Sequence, residues 1–142
     1  MRSPVATLTL LAAVSAALLS ACAPEPAIVD TAQMTPLERG AMVFRKCRSC
    51  HTLGQGDPHR VGPNLHGVWG REAGALADFN YSRAMRESDV VWSDATMDAY
   101  LRKPAEYVPG TRMSFVGLKR DQDRADIIAY LRAETGAAAE AP

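Results

Sequence analysis

The sequence predicts an all-α fold for one small domain, which follows an export segment. Apolar residues recur at helical spacing in stretches that carry start and stop signals, whereas no stretch keeps the alternating pattern of a strand. Residues 54–74 lie between two of these stretches and contain too much Gly and Pro for a regular element. The 16 basic and 16 acidic residues balance, so the charge gives no basis for nucleic-acid binding.

Residues 1–21 predict a secretory signal peptide. Arg2 is the one charged residue in this range, and Ser and Thr dilute the apolar run, so a membrane-spanning helix is not expected. The run ends in Leu-Ser-Ala-Cys, which resembles the lipobox of bacterial lipoproteins, where the Cys becomes the acylated first residue. We therefore expect a lipidated Cys22 that anchors the protein on the periplasmic side of a bacterial membrane. Cleavage after Ala23 is the alternative.

Residues 22–34 contain prolines and show no periodic pattern, which predicts a flexible tether. A random coil of about 12 residues spans roughly 20 Å root-mean-square, enough for an anchored domain to reach neighbouring complexes. Residues 137–142 at the other end are expected to be disordered. The predicted folded domain therefore comprises residues 35–136.

The first helix of this domain is predicted from Pro36 to about Cys47. Thr35 is an N-cap residue, Pro36 suits the first helical position, and Glu38 completes a capping box. Gly40 lies inside the helix, where its use is to let another helix approach closely. The residues expected on the inner face are Leu37, Gly40, Ala41 and Phe44.

Directly after this helix comes the pentapeptide Cys47-Arg48-Ser49-Cys50-His51. In an exported protein, C-x-x-C-H is the attachment signature of a c-type haem, in which both thiols bind the haem covalently and the His binds its iron. A redox disulfide would need a surrounding βαβ pattern, and a zinc site would need a second pair of ligands. Neither is present, because His59 and His66 are isolated. The Gly- and Pro-rich segment that follows is then explained as a wrapping around the haem.

Three further helices are predicted, over residues 81–87, 94–103 and 122–135. Ser93 is the expected N-cap of the second, and Pro104 ends it. Asp121 is the expected N-cap of the third, which ends at Gly136. The apolar stripe of this last helix comprises Ala125, Ile127, Ile128, Ala129, Tyr130 and Leu131.

The haem iron needs a second axial ligand or an open site. Met113 is the strongest candidate, because it follows a Pro-Gly turn in a stretch without helical periodicity. The other methionines lie in the signal, in the tether or in helical stretches, where Met commonly packs in the core. His59 and His66 are weaker candidates, since both lie close to the attachment motif along the chain.

Short stretches along the whole domain match one known family: Gly40 to Phe44, Cys47 to Thr52, Gly62 to Gly67, Gly70-Arg71, Tyr81, Trp92, Tyr100-Leu101, Pro104, Pro109 to Phe115 and Ile127 to Leu131. The chain thereby resembles the class I cytochromes c of the mitochondrial and bacterial cytochrome c2 type. The resemblance implies about four to five helices and long loops wrapped around one covalent haem c, with the N- and C-terminal helices crossing.

The resemblance also implies roles on both sides of the iron. His51 and Met113 would be the axial ligands, and Cys47 and Cys50 the attachment sites. The carbonyl of Pro63 would accept a hydrogen bond from His51 and so orient its ring. Close to the Met sulfur, the resemblance places two hydroxyl-bearing residues, Tyr100 and Thr111.

For the haem propionates the resemblance implies three binding residues, Arg71, Tyr81 and Trp92. A carboxylate pair inside a protein needs charged or neutral hydrogen-bond donors, which these side chains offer. Ordinary packing in the core is the alternative for the two aromatic residues.

A six-coordinate haem has no free position for a substrate, so the resemblance implies an electron carrier and not an enzyme. The expected partners are a bc1-type donor and a terminal oxidase or reaction centre as acceptor. A haem subunit fixed in an oxidase or reductase complex, and a peroxidase-like or gas-binding haem protein, are the alternatives. The basic ring of the mitochondrial type is thin here, with Lys46, Arg60, Arg112, Lys119 and Arg120 at matching positions.

Overall fold

The structure is a computed structural model that describes residues 31–136. Within this range five α-helices form: α1 (Pro36–Phe44), α2 (Arg83–Arg86), α3 (Asp94–Arg102), α4 (Pro104–Tyr107) and α5 (Asp121–Thr135). A 3-10 turn, Thr31–Gln33, precedes α1. Residues 31–136 contain no strand, and a single antiparallel bridge joins Glu72 to Val91. The all-α prediction is confirmed.

Helix α1 begins where its capping signals predict. The Glu38 amide donates to the Thr35 hydroxyl (3.3 Å), while the Thr35 amide donates to the Glu38 carboxylate (2.7 Å). The helix ends at Phe44, three residues before the predicted end at Cys47, because tighter turns replace the α-helical hydrogen bonds there. There the Cys47 amide donates to the Phe44 carbonyl, three residues back, at 2.7 Å. The prediction that Leu37 lies on the inner face is wrong, since 46% of this residue is exposed.

The first and last helices cross, as predicted. Gly40 is the contact point, because a Cβ there would clash with the Asp126 carbonyl oxygen and lie 2.5 Å from the Tyr130 Cβ. Beside it, the Phe44 and Tyr130 rings pack with centroids 5.6 Å apart. Arg39 donates hydrogen bonds to the buried Asp126 carboxylate from Nε (2.7 Å) and Nη2 (2.8 Å). The close approach of the α1 and α5 backbones and a bidentate ion pair between the helices therefore fix the crossing.

Helix α5 contributes the centre of the core, with Ile127, Ile128 and Leu131 buried. The expected apolar stripe is wrong at Ala125, which is exposed. Asp121 is not the N-cap: the helix begins at Asp121 itself, and Arg120 precedes it without a side-chain cap. The Asp121 carboxylate instead accepts from Arg124 Nη2 at 2.5 Å. Gly136 ends the helix in the left-handed conformation, as predicted.

Two of the helices between α1 and α5 begin at a serine N-cap. Ser82 caps α2, which is shorter than the predicted 81–87. Ser93 caps α3 as expected, through a hydrogen bond from the Thr96 amide at 3.2 Å. Pro104 does follow the end of α3, but it also begins α4, a helix that was not predicted. Proline is favoured at a first helical position because its missing N–H is not needed there.

No helix forms between residues 45 and 82, in agreement with the predicted wrapping segment. Backbone hydrogen bonds fasten this segment to distant elements. The Gly70 amide donates to the Trp92 carbonyl (2.8 Å), and the Gly67 amide donates to the carbonyl of Thr135 at the end of α5 (3.2 Å). Within the segment, the apolar side chains of Val68 and Ala73 are buried.

The predicted signal peptide, Cys22, most of the tether and the tail 137–142 lie outside the described residues. The domain boundaries at 35 and 136 stay predictions. None of the helices between residues 31 and 136 has the length and apolar character that crossing a bilayer requires.

Candidate functional site

The attachment motif lies on consecutive tight turns after α1. The Cys50 and His51 amides both donate to the Cys47 carbonyl at 3.0 Å, so the three side chains project from one compact loop. Both thiols are free and half-buried. Burial raises the pKa of the Cys47 thiol to about 11, so this thiol is protonated at neutral pH.

The His51 imidazole is held on two sides. Its Nδ1 lies 2.8 Å from the Pro63 carbonyl oxygen, which can only accept a hydrogen bond, so Nδ1 carries the proton. Gly62 lies against the ring, and a Cβ there would lie 2.7 Å from Nε2. Burial lowers the His51 pKa, which favours the neutral ring. Nε2 therefore presents a lone pair, and no hydrogen bond joins it to residues 31–136.

Two residues that brace this loop were not predicted as part of the site. Gly62 is required because a side chain would displace the imidazole. Asn64 is buried, and its amide group donates to the Thr52 hydroxyl (2.8 Å) and the Gly54 carbonyl (2.9 Å), which holds the chain on either side of Pro63. A glycine directly before a proline was the available signal for the first. The second lies in the stretch Gly62 to Gly67 that carries the resemblance, but no role at the site was expected for it.

Met113, Tyr100 and Thr111 form a closed cycle of hydrogen bonds. The Tyr100 hydroxyl donates to the Met113 sulfur at 3.3 Å. Because that uses its single proton, the 3.2 Å contact with Thr111 has the Thr111 hydroxyl as donor. The Met113 amide donates back to the Thr111 hydroxyl at 3.3 Å. Burial raises the pKa of Tyr100, which keeps its donating proton in place.

Of the three expected propionate residues, Arg71 and Trp92 are in contact, and the charge of Arg71 acts on Tyr81. The Trp92 amide donates to the Arg71 carbonyl at 3.0 Å. Burial raises the pKa of the Tyr81 hydroxyl, and the charge of Arg71 partly opposes that shift. The Arg71 guanidinium donates to the His66 carbonyl at 3.0 Å. Trp92 is buried and packs edge-on against Tyr100, with ring centroids 5.1 Å apart.

Of the two weaker ligand candidates, His59 has Nδ1 engaged as the acceptor of the Asn64 amide at 2.9 Å. Its Nε2 lies 3.1 Å from the Asp78 carboxylate. The Asn64 amide therefore occupies one ring nitrogen of His59, whereas Nε2, although close to Asp78, is buried without a hydrogen-bond partner within residues 31–136.

These residues fit a covalent haem. Within residues 31–136 the chain offers two free thiols, an imidazole nitrogen without a hydrogen-bond partner and a thioether that accepts a hydrogen bond. These are the attachment groups and the nitrogen and sulfur ligands of a c-type haem with His/Met coordination. Leu53, Leu65, Val90 and Phe115 are partly buried apolar residues that pack against the hydrophobic core. The assignment of each residue to the haem stays a prediction.

The chain matches known proteins over this whole region. The cytochrome c family model matches residues 37–134. The cytochrome c of Theileria parva is 50% identical over 95 residues, which cover 66% of this chain and 82% of the relative. That of Kluyveromyces lactis is 46% identical over 95 residues (66% and 86%), and that of Arabidopsis thaliana is 39% identical over 109 residues (76% and 97%). The chain therefore belongs to the cytochrome c family, whose members bind one covalent haem c with iron and carry electrons without acting as enzymes.

Proposed function

We propose that this protein carries single electrons with its haem iron held between His51 and Met113. The observation that supports this most directly is the hydrogen bond from Tyr100 to the Met113 sulfur, which fixes the thioether in one position. A thioether has a second lone pair that this hydrogen bond leaves available. With both axial positions occupied, no position remains for a substrate, and electron transfer is the chemistry left.

The protein's own residues would keep the site rigid. Cys47 and Cys50 would form the thioether links, and the Pro63 carbonyl would hold the His51 ring in a single orientation. The bound haem iron would supply the reversible one-electron change. Because each ligand is already fixed by a neighbour, little reorganisation would accompany oxidation.

We further propose that Arg71, Tyr81 and Trp92 hold the haem propionates. The backbone hydrogen bond between Arg71 and Trp92 supports this assignment, as does the effect of the Arg71 charge on Tyr81. An anionic group near Arg71 would be stabilised by a charge-assisted hydrogen bond, whereas in an uncharged apolar pocket its desolvation would be costly.

The Met113→Ala holoprotein tests the ligand assignment. We expect it to lose the weak long-wavelength sulfur-to-iron absorption band, to show a lower midpoint potential and to bind external ligands readily. Met42→Ala is the matched control, because Met42 lies on an exposed part of α1. Fast binding of cyanide or carbon monoxide by the unaltered protein would contradict the proposal and favour a ligand-binding haem.

The location and the partners form the finer part of the proposal. We propose that residues 1–21 are removed as a signal peptide, that Cys22 is lipidated, and that residues 35–136 form a haem domain on the periplasmic side of a bacterial membrane. A bc1-type complex would then be the donor, and a terminal oxidase or reaction centre the acceptor. The relatives named above come from eukaryotes, so the bacterial location is supported by residues 1–34 alone.

One described contact bears on how such an anchor would join the domain. Arg39 Nη1 donates to the Met34 carbonyl at 2.5 Å, while the rest of its guanidinium binds Asp126 on α5. The incoming chain is thereby fastened to the α1–α5 crossing. An anchored domain would therefore be attached at this crossing, and not at the attachment loop.

A further inference from the structure

Arg124 is a buried charged residue for which the proposed electron transfer provides no role. It lies near the start of α5, and only 1% of it is exposed. Its Nε donates to the Asp98 carboxylate on α3 (2.7 Å), and its Nη2 donates to the Asp121 carboxylate (2.5 Å). The remaining nitrogen, Nη1, donates to two backbone carbonyls, those of Leu118 (2.8 Å) and Lys119 (3.2 Å). One buried guanidinium therefore joins two helices to the chain that precedes α5.

Leu118 directly follows the loop that carries Met113. This Met113 loop, residues 109–117, belongs to no helix. Among the described residues, no backbone hydrogen bond joins residues 112–117 to another element, because the Met113 and Phe115 amides both donate within the loop. The loop is therefore held by its two ends and by side chains.

The C-terminal end of the Met113 loop is attached to both α3 and α5. The Leu118 amide donates to the Leu101 carbonyl on α3 at 2.8 Å. Gly117 passes so close to the end of α3 that a Cβ there would clash with the Arg102 carbonyl oxygen. From α5, Arg124 holds the Leu118 carbonyl. Leu118 is thus fixed by its amide and by its carbonyl, five residues after Met113.

We propose that Arg124 is a positioning residue for Met113: it fixes the end of the loop and so keeps the sulfur at the iron, provided that Met113 is the axial ligand that we propose. A guanidinium has five donors in a fixed plane, so it binds carboxylates and carbonyls at the same time. Because Arg124 is buried, water does not compete for these hydrogen bonds. Without Arg124, the Leu118 and Lys119 carbonyls lose their shared donor, and the loop opens more often.

The same helix provides a matched control. Arg132 also lies on α5, and its Nε pairs with a carboxylate on α3, that of Asp94, at 2.6 Å. The side chain is largely buried, and its guanidinium lies over the Trp69 ring, 4.6 Å from the centroid. Arg132→Gln therefore removes the same kind of link between α3 and α5 as Arg124→Gln does, but it leaves the carbonyls at the end of the Met113 loop with their donor.

Cyanide binding to the oxidised holoprotein tests the role of Arg124, because cyanide reaches a six-coordinate iron only after Met113 has left it. The rate at saturating cyanide measures how often this happens. We expect Arg124→Gln to raise the rate by about tenfold, as hydrogen bonds to two carbonyls are lost. Arg132→Gln should change the rate by less than about twofold. Urea is added to the more stable variant until both have the same free energy of unfolding, so that general destabilisation does not contribute to the comparison.

Equal rates in the two variants at equal stability would overturn the role of Arg124. Should Arg124→Gln fold poorly, Asp98→Asn decides, since it weakens the hold on Arg124 Nε and keeps the guanidinium in the chain. Its rate should rise roughly threefold over that of Asp94→Asn, and no difference between the two would contradict the proposal. The absorption spectrum separates the two proposals. If the unaltered protein lacks the sulfur-to-iron band, ligation by Met113 is wrong, whereas equal rates with the band present refute the role of Arg124 alone.

Discussion

Tyr100 would tune the proposed iron site through a hydrogen bond to the Met113 sulfur. It is buried, and its hydroxyl stands between the Met113 sulfur (3.3 Å) and the Thr111 hydroxyl (3.2 Å). A proton directed at the sulfur withdraws electron density from it. If Met113 binds the haem iron as proposed, the oxidised iron would need that density more than the reduced iron, so the hydrogen bond would favour the reduced state.

Tyr100→Phe should therefore lower the midpoint potential. A hydrogen bond worth about 1 kcal/mol corresponds to roughly 40 mV for one electron. Potentiometric titration of the holoprotein measures the change, and retention of the sulfur-to-iron absorption band would show that Met113 is still bound. Tyr107→Phe is the control, since Tyr107 lies on the surface side of Tyr100, with ring centroids 6.2 Å apart. A raised or unchanged potential in Tyr100→Phe would contradict this account.

At the scale of elements, the α1–α5 crossing depends on a missing side chain. Helix propensity alone would make Ala better than Gly at position 40 by about 1 kcal/mol. The contact that a Cβ at position 40 would make with the Asp126 carbonyl reverses that preference. A backbone carbonyl cannot move out of the way as a flexible side chain can.

Gly40→Ala should consequently destabilise the protein by about 2 kcal/mol and lower the melting temperature by about 10 °C. Thermal unfolding followed by circular dichroism measures this loss. Ala125→Gly, on the exposed face of α5, is the opposite substitution and should cost only the propensity difference of about 1 kcal/mol. Stabilisation by Gly40→Ala would mean that the helices do not pack this closely.

The ion pair at the same crossing makes stability depend on pH. Hydrogen bonds from Arg39 hold the pKa of the Asp126 carboxyl below its usual range. The unfolded chain therefore binds this proton at a higher pH than the folded chain does. The stabilisation is complete above the ordinary Asp pKa of about 4, and it is lost as the pH falls through the lowered value.

Arg39→Gln should reduce the free energy of unfolding at pH 7 and weaken its decline between about pH 5 and pH 2. Denaturant titrations at several pH values measure both effects. Arg83→Gln removes an exposed pair with Glu87 and should change stability far less. An equally steep decline in the Arg39 variant and the unaltered protein would show that Asp126 is not responsible.

For the molecule as a whole, the segment before the domain bears on where the domain works. The sequence before residue 35 predicts export and lipidation, and the described contact between Arg39 and Met34 fastens the incoming chain to the domain. Confinement at a membrane would raise the effective concentration of the carrier at its partners. That gain would compensate for the thin basic ring.

The substitution Cys22→Ser tests this arrangement in the full-length chain. We expect the unaltered protein in the membrane fraction and the variant in the soluble periplasmic fraction. Stable anchoring needs more than one acyl chain, and lipoprotein processing would supply these chains only when Cys22 is present. Haem staining after denaturing electrophoresis would follow both forms. Equal amounts of both in the soluble fraction, or a mature chain that begins at Pro24, would replace the anchored carrier by a freely diffusing one.

The sequence by itself determined what depends on local chemistry. The attachment motif, the caps at Thr35 and Ser93 and the end of α5 at Gly136 each require a few adjacent residues, whose preferences are strong enough to be recognised in isolation. The family resemblance, carried by motifs spread along the chain, added the pairing of His51 with Pro63 and of Tyr100 with Met113. Both contacts are present in the structure.

The tertiary structure alone decided what depends on residues far apart in the chain. Leu37 is exposed although its spacing is right, because α5 contacts a face of α1 centred on Gly40. Gly62 and Asn64 matter through the groups that lie opposite them, the His51 ring and the Thr52 hydroxyl. Periodicity describes which way a side chain points from its own helix, but the residue it meets is set by how distant segments pack.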